Sequence, residues 1–140
     1  ANFIAKALRE SGHAADLAHD GETGLAMARE EGYDILVVDR MLPRLDGLSI
    51  IRELRKAGRF VIGLAGEGEL SLPDAIREHG GPGLVIVMGA EDKGLRPRVS
   101  ENCDALVAIP MTAAVESLNI STAAAITLYA AYAARPARTV

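Results

Sequence analysis

Four glycines that follow short apolar runs are the residues of this sequence best suited to ligand binding: Gly63, Gly66, Gly89 and Gly94. Because glycine has no Cβ, a glycine in a tight turn lets backbone groups approach a flat ligand closely. An adenosine moiety suits such loops. Taken alone, any one of them is better explained as a simple turn.

Several polar residues are further candidates for chemistry. Asp39 ends the apolar run Ile35–Val38, but one carboxylate alone is a poor magnesium site, so no metal site is predicted. Glu91 lies between two of the glycines, where a carboxylate is usually solvated. Ser117 and Asn119 stand at the start of the last predicted helix, where their side chains can cap free amides.

The elements that must position these residues alternate between strands and helices. Continuous apolar runs of the kind found in buried parallel strands occur at Ile35–Val38, Phe60–Leu64, Leu84–Met88 and Leu106–Ile109. Helical spacing is found before Gly12, Gly32 and Gly58, at Leu72–His79, Arg96–Asn102 and Glu116–Ala134, and a short extended piece is predicted at Ala15–Ala18. This order predicts an α/β fold, with ligands at the carboxyl ends of a mostly parallel sheet.

Length and composition predict one globular domain. The chain has 140 residues, 49% of them hydrophobic and 24% charged, which excludes a disordered tail or a coiled coil. The net charge of −4 does not by itself indicate a nucleic-acid partner. The single cysteine, Cys103, and the absence of a long apolar run predict a reduced, cytoplasmic setting without membrane contact.

The segment from Ile4 to Gly58 resembles a response-regulator receiver domain, which has a flavodoxin-like fold. The sequence IAKALRESGHAADLAHDGETGLAMAREEGYDILVVDRMLPRLDGLSIIRELRKAG places Asp39 at the position of the phosphoacceptor. The acidic pair that holds the metal ion in receivers has no counterpart here, nor do the later hydroxyl and lysine. We therefore expect Asp39 to be an unmodified carboxylate, and a signalling module phosphorylated on Asp39 is an alternative.

The later part of the chain resembles the SPOUT-class, SpoU-type RNA ribose 2'-O-methyltransferases. The motifs that carry this resemblance are RFVIGLAGEGELSLPDA, LVIVMGAEDKGLRPRVSENCDALVAIPM and VESLNISTAAAITLYAA, in the family's order and spacing. The resemblance implies that S-adenosylmethionine binds at three loops. Their residues would be Leu64, Gly66, Gly89, Ala90, Glu91, Gly94, Ile109, Met111, Ser117, Leu118 and Asn119, with Glu91 and Asn119 as candidate catalytic groups.

The same resemblance implies a three-layer α/β/α fold with a C-terminal trefoil knot, and a homodimer formed through the last helix. The wide apolar surface of that helix, which includes Leu128, Tyr129 and Tyr132, fits a subunit interface. RNA is the implied substrate, and Arg96 and Arg98 either contact its phosphates or face water.

The two resemblances together suggest a recombined or engineered hybrid, a single domain with a receiver-like segment at 1–58 and a knotted segment at 59–140. The family's first motif, which contains an asparagine, a glycine and an arginine, has no clean match, since Ile4 stands in the place of the glycine. The main interpretation is therefore a cofactor-binding protein without methyl transfer, and an active RNA methyltransferase is the other alternative.

Overall fold

The computed structural model describes residues 2–10, 12–30, 32–39, 47–79, 83–89, 95–109 and 120–133. Its helices are α1 Asn2–Glu10, α2 Gly21–Glu30, α3 Gly47–Lys56, α4 Leu72–His79, α5 Pro97–Asn102 and α6 Ile120–Ala133. Its strands are β1 Ile35–Asp39, β2 Val61–Leu64, β3 Leu70–Ser71, β4 Leu84–Met88 and β5 Ala105–Ala108.

The five strands form one parallel sheet in the order β1-β4-β2-β5-β3. All five residues of the central strand β4 are buried, as expected of a strand covered on both faces. Because β1 pairs with β4 along its whole length, the receiver-like segment and the later segment share one sheet.

Side chains that alternate along the strands form two hydrophobic cores, one on each face of the sheet. On one face Val61, Val85 and Val87 pack with residues of α2, α3 and α5. On the other face Ile62, Ile86 and their neighbours pack with residues of α4 and α6. The predicted three-layer α/β/α architecture is therefore confirmed.

Most predicted elements are present, with boundaries that shift by a residue or two, whereas the predicted start of the last helix at Glu116 lies outside the described residues. α4 and β4 have the predicted limits, and Gly12 and Gly58 adopt φ angles of 89° and 87°, the left-handed conformation of a helix C-terminal cap. The extended piece at Ala15–Ala18 is not a strand. The two-residue strand β3 was not predicted. No helix in the described parts of the chain is long and apolar enough to cross a bilayer.

The connection between β2 and β3 passes directly over a strand that comes later in the chain. β5 lies between these two strands, which are joined only by residues 65–69. The amide of Ala65 donates to the carbonyl of Val107 at 3.0 Å, so the connection runs against β5 itself. The predicted trefoil knot also involves residues 110–119, which lie outside the described residues, and it stays a prediction.

Candidate functional site

The carboxyl ends of β4, β2 and β5 lie side by side at one edge of the sheet. Gly63 pairs with Val87 of β4, and Leu64 pairs with Val107 of β5. Neighbouring strands are about 5 Å apart, so the loops after these three strands begin within about 10 Å of one another. The sheet therefore brings together the three strand ends from which the predicted cofactor-binding loops leave.

The loop after β2 is held against β5 by backbone contacts. The amide of Gly68 donates to the carbonyl of Ala65 at 3.0 Å, which closes a tight turn. A Cβ on Gly68 would lie 2.8 Å from backbone atoms of Val107 and 2.9 Å from the nitrogen of Ala108. Only glycine fits here. The sequence prediction missed this role, because the neighbour that requires it is far away in the chain.

The two other glycines of this region have different environments. Gly66 is exposed, and among the described residues a Cβ added to it would meet nothing within 4 Å, which leaves its backbone open to an approaching ligand on that side. Gly63, in contrast, is buried inside β2, where a Cβ would lie 2.6 Å from Leu95 Cδ1 and 2.9 Å from Cys103 Sγ. The prediction that Gly63 follows a strand and approaches a ligand is wrong, since its missing side chain makes room for the core.

Four of the predicted cofactor residues are among those that the structure describes. Leu64 and Ile109 are half-buried at the ends of β2 and β5, Gly66 is exposed, and Gly89 directly follows β4. The other predicted residues lie outside the described residues: Ala90, Glu91, Gly94, Met111, Ser117, Leu118 and Asn119.

Asp39 lies at this same edge of the sheet. It is the last residue of β1 and pairs with Met88, the residue before Gly89. Arg96 and Arg98, the candidate phosphate contacts, are both exposed at the start of α5. The structure thus places the backbone of Asp39 next to the end of β4, and it leaves both arginines accessible to solvent.

Cys103 is not part of the candidate site. Burial, together with the nearby carboxylate of Asp104, raises the pKa of its thiol to about 11, although the positive charge of Arg55 acts in the opposite direction. The thiol donates to the carbonyl of Val99 at 3.3 Å. Because the thiolate is the reactive form of cysteine, Cys103 is not a nucleophile at neutral pH.

The described residues fit an adenosine-type cofactor. A ligand at the carboxyl edge would meet an open backbone at Gly66, a second glycine at Gly89 and apolar side chains at Leu64 and Ile109. This combination of apolar lining and exposed backbone groups is typical of small-molecule sites in parallel α/β sheets.

A search of curated proteins finds a relative that acts on ribosomal RNA. The chain is 47% identical over 81 residues to the 23S rRNA (guanosine-2'-O-)-methyltransferase RlmB of Ralstonia nicotianae. The match covers 58% of this chain and 31% of that protein. The chain therefore spans about a third of the length of the curated relatives that it matches.

Two solved structures resemble the fold. The SpoU methyltransferase AviRb of Streptomyces viridochromogenes, solved in complex with AdoMet, has a TM-score of 0.50 at 29% identity over 60% of this chain and 31% of its own. A Francisella response-regulator receiver domain has a TM-score of 0.53 over 96% of this chain and 89% of its own. Its identity is 21%, so it shows a likeness of fold alone, and the receiver resemblance stays a prediction.

A family profile described as the SpoU rRNA Methylase family matches residues 25–129, which is three quarters of the chain. The match includes all five strands of the sheet and most of α6. It therefore covers the three strand ends at which the candidate site lies. The chain belongs to the SpoU rRNA methylase family.

Proposed function

We propose that this chain forms the S-adenosylmethionine-binding part of an RNA ribose 2'-O-methyltransferase. The observation that carries the proposal is that the carboxyl ends of β4, β2 and β5 lie side by side, with the exposed Gly66 in the loop after β2. Membership of the SpoU family and the AdoMet complex of AviRb support the choice of cofactor.

In this proposal the chain's own residues bind and orient the cofactor. Leu64 and Ile109 supply apolar surface at the ends of β2 and β5, while Gly66 offers exposed backbone groups and Gly89 adds a glycine directly after β4. The remaining predicted contacts, at residues 90–94 and 111–119, lie outside the described residues and stay predictions from the family resemblance. Bound there, S-adenosylmethionine supplies an electrophilic methyl group.

The acceptor in this proposal is a ribose hydroxyl of RNA. Its proton must leave when the methyl group arrives, and a positioned acid-base residue typically contributes about 10²–10⁴ to such a rate. Glu91 is the candidate for taking this proton, and Asn119, whose amide can only form hydrogen bonds, is the candidate for orienting the hydroxyl; both lie outside the described residues. The guanosine-2'-O-methyltransferase activity in the name of the RlmB relative supports RNA as the substrate class.

Activity is better supported than the interpretation of an inactive hybrid. The family match begins at residue 25, inside the receiver-like segment, and extends past the proposed junction at residue 58 to residue 129. A match that spans the junction favours one family origin for most of the sheet. We therefore prefer the active methyltransferase, and cofactor binding without transfer is the second candidate.

Calorimetry with S-adenosylmethionine and a tritium-transfer assay on bulk RNA test binding and transfer separately. Gly66→Val should weaken cofactor binding, because its side chain would enter the space that the ligand needs. Gly32→Val is the matched control, since a Cβ at Gly32 also meets nothing within 4 Å, but in the turn after α2. No heat of binding by the unaltered chain would contradict the proposal. Binding without methyl incorporation would favour the second candidate.

A homodimer through α6 is also proposed. Ile126 and Tyr129 leave 37% and 72% of their surface exposed on this helix, whereas Thr127 and Ala131 are buried. An exposed tyrosine beside a half-exposed isoleucine suits a subunit interface.

A further inference from the structure

A groove of about 730 Å³ opens at the amino edge of the sheet, opposite the candidate cofactor site. It lies where β2 and β5 begin and where α3 ends. Its charged lining consists of four basic and two acidic side chains: Arg52, Arg55, Lys56, Arg59, Glu53 and Asp104. The groove therefore has a net charge of +2, although the net charge of the chain is −4.

Both carboxylates of the groove are already paired with arginines. Arg29 contacts Glu53 at 2.7 Å, and Arg55 contacts Asp104 at 2.9 Å. Asp104 also accepts a hydrogen bond from the amide of Val61 at 2.7 Å, so it is held at the start of β2. The acidic groups therefore do little to repel an anion that enters the groove.

Two of the basic side chains remain available to a ligand. Arg52 is exposed and has no hydrogen-bond or ion-pair partner within the part of the chain that the structure describes. Lys56 is 78% exposed, and its nearest carboxylate oxygen, on Glu53, is 3.8 Å away. Arg59, in contrast, is engaged with the carbonyls of Gly83 and Ala28.

Stabilisation of the helix end explains only part of this charge. Arg55 and Lys56 lie in the last turn of α3, where positive side chains favour the helix dipole. Arg52 lies before that turn, and Arg59 lies beyond the helix. A helix-capping role therefore leaves the exposed guanidinium of Arg52 unexplained.

An aromatic pair borders the same groove. Phe60 lines the groove, and its ring stacks on the imidazole of His79 with centroids 4.0 Å apart and planes at 12°. Proteins that hold single-stranded nucleic acid combine a positive groove for the backbone with aromatic rings for the bases. Phe60 packs on the side of the sheet covered by α4, whereas Arg52 and Lys56 come from α3 on the other side, so the aromatic ring stands at the border of the groove.

We propose that this groove binds single-stranded RNA through the charges of Arg52 and Lys56 and the ring of Phe60. The choice of RNA rests on the proposed function. β2 and its flanking residues span about 15 Å, at about 3.3 Å per residue. This distance separates the groove from the carboxyl edge of the sheet, where the cofactor is proposed to bind. The groove would hold RNA a few nucleotides away from the ribose that is methylated.

Fluorescence anisotropy with a labelled oligouridine RNA of about 12 nucleotides tests this surface. The double variant Arg52→Gln with Lys56→Gln should weaken binding about tenfold at low salt. It should also make the slope of log K against log salt shallower by about 1.4, because each lost contact to single-stranded RNA removes about 0.7. Phe60→Leu, which keeps an apolar side chain, should weaken binding about fivefold.

The matched control is Lys6→Gln with Arg77→Gln, which removes two exposed positive charges outside the groove. It should bind RNA as the unaltered chain does. Equal losses in both double variants, or equal affinity for polyglutamate of similar charge, would overturn the proposal. So would no RNA binding by the unaltered chain. Calorimetry with S-adenosylmethionine on the same proteins keeps the two proposals separate, since groove variants should bind the cofactor normally.

Discussion

Replacing Gly68 by alanine should destabilise the protein more than an ordinary loop substitution does. The new Cβ would lie 2.8 Å from the nitrogen and carbonyl carbon of Val107, and these backbone atoms cannot rotate away. Relaxed carbon contacts are near 3.5–4.0 Å, so the loop and β5 must separate by about 1 Å. The hydrogen bond from Ala65 to Val107 would be strained by the same movement.

The expected cost follows from these two effects. Overpacking of a rigid site costs about 1–3 kcal/mol, and a lost backbone hydrogen bond adds about 1 kcal/mol. For a domain of this size, each kcal/mol lowers the melting temperature by about 3–5 °C. Gly68→Ala should therefore melt roughly 10 °C below the unaltered protein when circular dichroism is followed during heating.

Gly66→Ala is the matched control, because it makes the same change two residues earlier in the same loop. Its Cβ would meet nothing within 4 Å, so its stability should stay within about 0.5 kcal/mol of the unaltered protein. Equal melting temperatures for the two variants would refute the close contact between this loop and β5.

Other predictions concern Cys103 and Asp104, at the amino edge of the sheet, and the last helix. Stability should fall between pH 9 and pH 11, because the thiol of Cys103 ionises near its ordinary pKa of 9.0 when unfolded but only at about 11 when folded. Urea unfolding of Cys103→Ala should show a flatter pH dependence. Asp104→Ala should lower the free energy of unfolding by about 1.5–3 kcal/mol, because it removes the carboxylate that accepts from the Val61 amide and pairs with Arg55. The control Asp74→Ala removes a surface ion pair with Arg77 and should lower it by less than about 1 kcal/mol. Light scattering should give a dimer mass that Tyr129→Glu reduces to that of a monomer, and an unchanged mass would argue against an interface on α6.

The sheet could be predicted from the sequence because its central strands are continuously apolar. β4 is buried along its whole length, and the run Leu84–Met88 has no other good explanation. β3 could not be predicted, because two residues show no periodicity and the strand that pairs with them in the described sheet, β5, is far along the chain. The position of β5 between β2 and β3 depends on the same non-local pairing.

The candidate site could be predicted at the level of loops and only partly at the level of residues. Glycines at strand ends indicated the correct edge of the sheet, and Gly66 and Gly89 lie there. Sequence spacing could not separate Gly63, which makes room for Leu95 and Cys103, from a glycine that faces a ligand. It also gave no sign of the basic groove, whose residues come from α3 and from the starts of two strands.

The position of the cofactor is the central claim, and amide chemical shifts measured by NMR during a titration with S-adenosylhomocysteine test it most directly. The proposal predicts that the largest shifts occur at Ala65, Gly66, Gly89 and Ile109, at the carboxyl edge of the sheet. The amides around Arg52 and Lys56, at the opposite edge, should change little. No shifts at the carboxyl edge, or shifts centred on the groove, would contradict the claim.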